Sequence, residues 1–166
     1  MEDKNNELIE AVTADALSRV KRLLQEGADA NALDEKGRPL LLVAIANRAS
    51  KEMVELLLEY GADLFWTTPE GVGLLDEAVE RNRLDLAELF IDRGLDPATT
   101  RRQSGMTAFM LAACFDYIDM MELLYEHGAD IYAEDEFGLT AADFARKLRK
   151  ERARKWIEAK MENPFG

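Results

Sequence analysis

Glycine recurs along this chain on a fixed step, and no other feature limits the fold as tightly. Gly27-Ala28-Asp29, Gly61-Ala62-Asp63, Gly94-Leu95-Asp96 and Gly128-Ala129-Asp130 follow one another at 34, 33 and 34 residues. A second series, Gly37, Gly71, Gly105 and Gly138, keeps step at 34, 34 and 33. Ala44, Ala78, Ala112 and Ala145 each stand seven residues after a member of that second series. Three series in constant phase mark the repetition of one supersecondary unit.

The residues between the glycines say what the unit is. Val20, Leu23 and Leu24, then Val54, Leu57 and Leu58, then Leu86, Leu89 and Phe90, then Met120, Leu123 and Leu124 fall at spacings of three and four. Such spacings put each set on one face of a helix. The glycine that follows suits a left-handed C-terminal cap, where a Cβ would clash. Asp34-Glu35-Lys36-Gly37 and Asp135-Glu136-Phe137-Gly138 read as tight turns. A second, shorter helix is expected just after each turn, its alanines allowing close helix approach. So short a pair cannot bury its apolar face alone and must stack on neighbours.

At these residues the sequence resembles the ankyrin-repeat family, in particular its small stand-alone bacterial members. The family pattern is an Asp-x-x-Gly turn, x-Thr-Pro-Leu-His-x-Ala-Ala, a Leu-rich second helix and Gly-Ala-Asp-x-Asn. Gly27-Ala28-Asp29-Ala30-Asn31 matches its end in full, and Gly105 to Ala113 and Gly138 to Ala145 match its middle with substitutions. Gly37 to Leu41 and Gly71 to Leu75 match more loosely, and Thr-Pro-Leu-His is nowhere intact. The resemblance implies an all-α ankyrin-repeat solenoid of about five helix-turn-helix units with short hairpin-like fingers. Residues 1–166 are then one domain: an N-terminal cap over 1–33, inner repeats over 34–66, 67–100 and 101–133, and a C-terminal cap over 134–166. The second repeat is one residue longer than the third and fourth, which places an insertion near Asn47–Ser50. Another extra residue between Gly94 and Gly105 predicts an irregular finger from Pro97 to Ser104. Asn163–Gly166 is expected to fray.

Composition bears on location and partners. The chain is 48% hydrophobic and 33% charged, which excludes a disordered chain. No apolar run approaches the ~20 residues of a membrane span. The start, MEDKNNELIE, lacks the basic and apolar regions of a signal peptide. A lone cysteine, Cys114, fits a reducing compartment, so the expected location is cytoplasmic. The net charge of −12 is uneven: residues 146–166 carry +5 and the first 145 carry −17. An acidic body disfavours nucleic acid and anionic membrane and attracts basic partners. The exception is the basic run Arg146 to Lys155. Trp156, Ile157 and Leu148 are expected to seam that capping helix to the body, leaving the cations on its outer face.

Catalytic patterns are missing. His127, the one histidine, directly precedes a helix-ending glycine, where it stabilises the helix terminus. No second histidine or cysteine completes a triad or metal site. The glycines fall singly, not in a phosphate-binding loop. The expectation is a non-enzymatic chain with no cofactor. Cys114, Tyr117, Tyr125, His127 and the methionines leave a haem-handling role beside a catalase-like enzyme as an alternative.

The resemblance implies a protein-binding module using the concave surface of fingers and first helices. The residues after the turn glycines are Arg38, Val72, Met106 and Leu139, and those before them include Glu70 and Phe137. Phe115 and Tyr117 fall near the end of one first helix. Val72, Met106, Phe115, Tyr117, Phe137 and Leu139 are expected to form an apolar patch. Glu70, Glu80, Glu134 and Glu136 would steer a basic protein onto it. Phe65 and Trp66 either anchor a partner or pack on the Pro97–Ser104 loop. An immunity or adaptor protein that neutralises a toxin or enzyme is the alternative of this class.

Overall fold

The computed structural model describes residues 2–162; the tail expected to fray, Asn163–Gly166, lies outside the described residues. Among them ten helices run in five pairs: α1 (Glu2–Thr13) with α2 (Leu17–Gln25), α3 (Leu40–Ala46) with α4 (Lys51–Glu59), α5 (Leu74–Glu80) with α6 (Leu84–Asp92), α7 (Ala108–Cys114) with α8 (Ile118–Glu126), and α9 (Ala141–Lys147) with α10 (Glu151–Glu162). The fold class is an all-α repeat solenoid. Two units, Met1–Trp66 and Thr67–Gly166, divide the chain. In the first, α1 stacks on α3 and α2 on α4. In the second, α7 stacks on α5 and α9, while α8 stacks on α6 and α10.

Small and apolar side chains fill these contacts. Ala44, Ala78, Ala112 and Ala145, one on each of α3, α5, α7 and α9, are fully buried. Val20, Leu23, Leu24, Val54, Leu57, Leu86, Leu89, Phe90, Met120 and Leu124 are buried on the second helices. Leu58 and Leu123 are half-buried.

Each helix pair breaks in the same way. The second residue after the first helix adopts the left-handed conformation: Asp15, Arg48, Asn82, Asp116 and Arg149, all with φ between 52° and 60°. The next N–H then returns to a buried alanine carbonyl, as Ala49 does to Ala44, Arg83 to Ala78, Tyr117 to Ala112 and Lys150 to Ala145. This is the closure that satisfies a helix's last carbonyls. The α3–α4 link has four residues where the other pairs have three. The extra one is accommodated because Ser50 caps α4, its Oγ accepting from the Met53 N–H at 3.2 Å. Asp15 Oδ1 in turn accepts from both the Ser50 N–H and its hydroxyl.

This closure corrects the reading of the basic run. Arg146 to Lys155 does not form one helix: α9 ends at Lys147, Leu148–Lys150 turn, and α10 starts at Glu151. Leu148 caps α9 and is 49% exposed instead of joining a seam. The seam of α10 is Ile157, fully buried, with Trp156 packed 5.8 Å from the Phe109 ring and 5.5 Å from Tyr125.

Candidate protein-binding site

The fingers are built from aspartate-directed turns. Asp29, Asp63, Asp96 and Asp130 each accept, through Oδ1, the N–H two residues on, at 2.8–2.9 Å. Each turn proper closes by a glycine N–H: Gly37 to Asp34, Gly71 to Thr68, Gly105 to Arg102 and Gly138 to Asp135. Three fingers add a backbone bond across the turn, from Asp34 to Arg38, Thr68 to Val72 and Asp135 to Leu139. The finger with the extra residue replaces that bond. There the Thr100 hydroxyl donates to the Met106 carbonyl at 2.6 Å and accepts from the Arg102 N–H.

In the second unit the fingers are joined into one edge. The Gln103 N–H donates to the Glu70 carbonyl at 3.0 Å, and the Glu136 N–H to the Ser104 carbonyl at 2.8 Å. Backbone bonds thus hold Glu70, Ser104 and Glu136 side by side along the finger tips. Beneath them Arg102 Nε lies 3.5 Å from Asp76 Oδ1, both side chains largely buried. Asp76 Oδ2 also accepts from the Gly73 N–H at the start of α5. Burial pushes the Asp76 carboxyl up, against the Gly73 N–H and Arg102.

Along this edge Phe137 stands out, 78% exposed on the last turn and flanked by the exposed Glu134 and Glu136. Glu70 is exposed, while Val72, Met106 and Leu139 are half-buried. No Lys or Arg occurs from Gln103 to Ala145. Phe115 and Tyr117 sit elsewhere. They follow the C-terminus of α7, whereas Met106 precedes its N-terminus, so a seven-residue helix of roughly 10 Å separates them. Their rings stack at 5.2 Å, and Tyr117 Oη donates to the Glu80 carbonyl at 3.5 Å.

In the first unit Arg38 is held within its own turn, Nε donating to Asp34 Oδ2 at 2.8 Å. Burial opposes ionisation of Asp34, but the Arg38 and Lys36 contacts outweigh it and hold the carboxyl below its ordinary value. Phe65 is 50% exposed and Trp66 half-buried.

Exposed apolar side chains also stand outside the predicted site, Leu33 at 58% in the first unit among them. Tyr132, 53% exposed, and Leu148, 49% exposed, both lie in the second unit. Tyr132 holds the repeat position of Phe65, two periods on, and that offset was a usable signal.

Of the residues weighed for haem, His127 and Tyr125 have neighbours of their own. His127 Nδ1 bonds the Leu123 carbonyl at 2.8 Å, as a histidine closing a helix does. Tyr125 meets Trp156 edge-on with Lys160 above its ring. Cys114 ends α7, its thiol pushed up by burial. Among the described residues no group of three or more His, Cys, Asp or Glu is placed to hold a metal ion.

Stacked helix pairs joined by projecting fingers define a repeat protein. The chain belongs to the ankyrin-repeat family: one family model, ankyrin repeats in three copies, matches residues 8–101, and another, ankyrin repeats in many copies, matches 91–145. It is similar to an ankyrin repeat-containing protein of Treponema pallidum, 31% identical over 128 residues that cover 76% of this chain and 42% of the relative. It is also similar to the mitochondrial disaggregase of Bos taurus, 31% identical over 87% of this chain and 21% of the relative. Human ankyrin repeat and SOCS box protein 6 is 30% identical over 66% of the chain and 31% of its own length. The chain thus spans less than half the length of each of these relatives. Ankyrin repeats are protein–protein interaction modules, in general non-enzymatic, and the partner they indicate is a protein. No helix among the described residues is long and apolar enough to cross a membrane.

In the pattern of that family the first helix opens with Thr-Pro-Leu-His. The histidine position holds Leu42, Asp76, Met110 and Asp143 here. Asp76 and Asp143 use it to accept the N–H three residues back, from Gly73 and Thr140, at 2.9 Å. Met110 Sδ takes the Thr107 N–H at 3.5 Å in the same way. The capping bond is therefore made within one repeat by an acceptor of another kind.

Proposed function

We propose that the finger edge of the second unit captures a basic segment of a partner protein, the chain acting as a non-enzymatic adaptor. The observation that carries this reading is Phe137, 78% exposed between Glu134 and Glu136 on fingers already joined by backbone bonds. An exposed aromatic ring is the side chain most suited to anchor a partner. The surrounding carboxylates, with no cation from Gln103 to Ala145 to neutralise them, speed the encounter with a positive segment. Because the edge is already ordered, little conformational entropy is lost on binding. A cytoplasmic location accords with the single cysteine. Neutralisation of a toxin or enzyme is one use to which such an edge can be put.

The test is affinity capture from cell extract by immobilised wild-type chain, by Phe137→Asp and by Glu134→Lys with Glu136→Lys, read by quantitative mass spectrometry. Phe137 is outside the core, so its variant should melt at the parent temperature. Proteins with basic segments should be retained by the wild type and lost from both variants. Capture that all three share would reject this edge.

A further inference from the structure

The second unit has another surface, at the opposite end of its first helices, whose chemistry is the reverse of the finger edge. Arg81, Phe115 and Leu148 are the C-terminal caps of α5, α7 and α9. Those helices pack in that order, so the three residues share one register position. Phe115 is 41% and Leu148 49% exposed, and Tyr117 stacks on Phe115. Around this apolar strip stand Lys147, Arg149, Lys150 and Arg152, none with an ion-pair partner among the described residues. Arg146 and Arg154 are paired locally, with Asp143 and with Glu151 and Glu158, whereas Lys147 ends α9, Arg149 and Lys150 lie in the α9–α10 loop and Arg152 is in the first turn of α10. Asp116 Oδ1 accepts the Ala153 N–H at 2.7 Å and so fixes α10 against the α7–α8 loop; its carboxylate is a negative charge that the four cations outnumber.

We propose that this strip docks a short acidic protein segment bearing one large apolar side chain. The cations meet its carboxylates, and Phe115, Tyr117 and Leu148 receive the anchor. Charge complementarity selects the sign of the occupant, and the surrounding charge selects its length. Residues 103–145 contain no Lys or Arg, so a long polyanion laid across the unit meets repulsion on leaving the strip, whereas a short segment does not. That argument favours a peptide over nucleic acid. The inference is independent of the finger edge, which takes the opposite charge.

The test is fluorescence anisotropy of the full chain with a short fluorescein-labelled peptide of glutamates around one tryptophan. A lysine version of the peptide and a single-stranded oligouridylate serve as comparisons. Saturable binding of the glutamate peptide is expected, weakened about tenfold or more by Lys147→Glu with Lys150→Glu and by Phe115→Ala. Phe137→Asp should leave it unchanged. A melting curve reports whether each variant folds, and Leu148→Asp, at an exposed position, gives a second apolar variant if Phe115→Ala does not. Absence of saturable binding, binding indifferent to these substitutions, or tighter binding of oligouridylate would overturn the proposal.

Discussion

The Arg101 carbonyl oxygen lies 1.9 Å from the place where a Cβ on Gly71 would stand. The next finger is therefore laid directly against the bare α-carbon of this turn, and the Gln103–Glu70 backbone bond holds it there. Gly71 also has φ +88°, a conformation that resists any side chain. Gly37 holds the same turn position with φ +76° but has nothing within 4 Å. Gly37→Ala should cost about 1 kcal/mol, the backbone penalty alone. Gly71→Ala should cost about 3 kcal/mol or more, because backbone must move. Urea unfolding of the two variants measures the difference; equal losses would mean that the finger contact carries no weight.

Asn31 joins two repeats of the first unit. Its Nδ2 donates to the Gly61 carbonyl at 2.9 Å and its Oδ1 accepts the Asp63 N–H at 2.8 Å. Both bonds are exposed, so Asn31→Ala should lower stability by about 1 kcal/mol. It should also raise the hydrogen-exchange rate of the Asp63 amide. An unchanged rate would show that this bond is not formed in solution.

Glu77 gives a pH dependence with a definite sign. Burial and then the Glu80 carboxylate hold Glu77 above its ordinary 4.5, against the pull of Arg81. The folded chain thus binds the Glu77 proton more tightly than the unfolded chain. Stability accordingly falls as pH rises from 4.5 through the raised folded value. Glu77→Gln removes that charge and forfeits only a weak 3.9 Å pair with Arg81. The variant's Tm should exceed the parent's by about 1–3 °C near neutrality and match it at a pH well below 4.5. A variant less stable near neutrality would reverse the account.

Much of this architecture was legible in the glycine and alanine series, because each repeat makes its turns and helix ends from its own residues. Gly27, Gly61, Gly94 and Gly128 all have φ between 90° and 120°, as a helix-ending glycine requires. The irregular finger was legible as one surplus residue. Its remedy, the Thr100 hydroxyl taking over the Met106 carbonyl, was not, since it depends on where the looped-out residues fall in space. Nor was the Asp76–Arg102 pair, which joins two repeats that no local pattern relates. The break at Leu148–Lys150 was hidden by composition, because the left-handed position that marks it carries Asp, Arg, Asn, Asp and Arg in turn and has no residue signature. The same break separates the cations of α9 and its loop from α10 and leaves Leu148 exposed.

The finger edge is tested most directly by placing a photo-reactive phenylalanine analogue at Phe137 and, in a second chain, at Glu88. Glu88 is exposed on α6, away from the fingers. After irradiation in cell extract, the account predicts a discrete cross-linked protein with a basic segment from position 137 and none from position 88. A protein cross-linked at 88 and absent at 137 would contradict it.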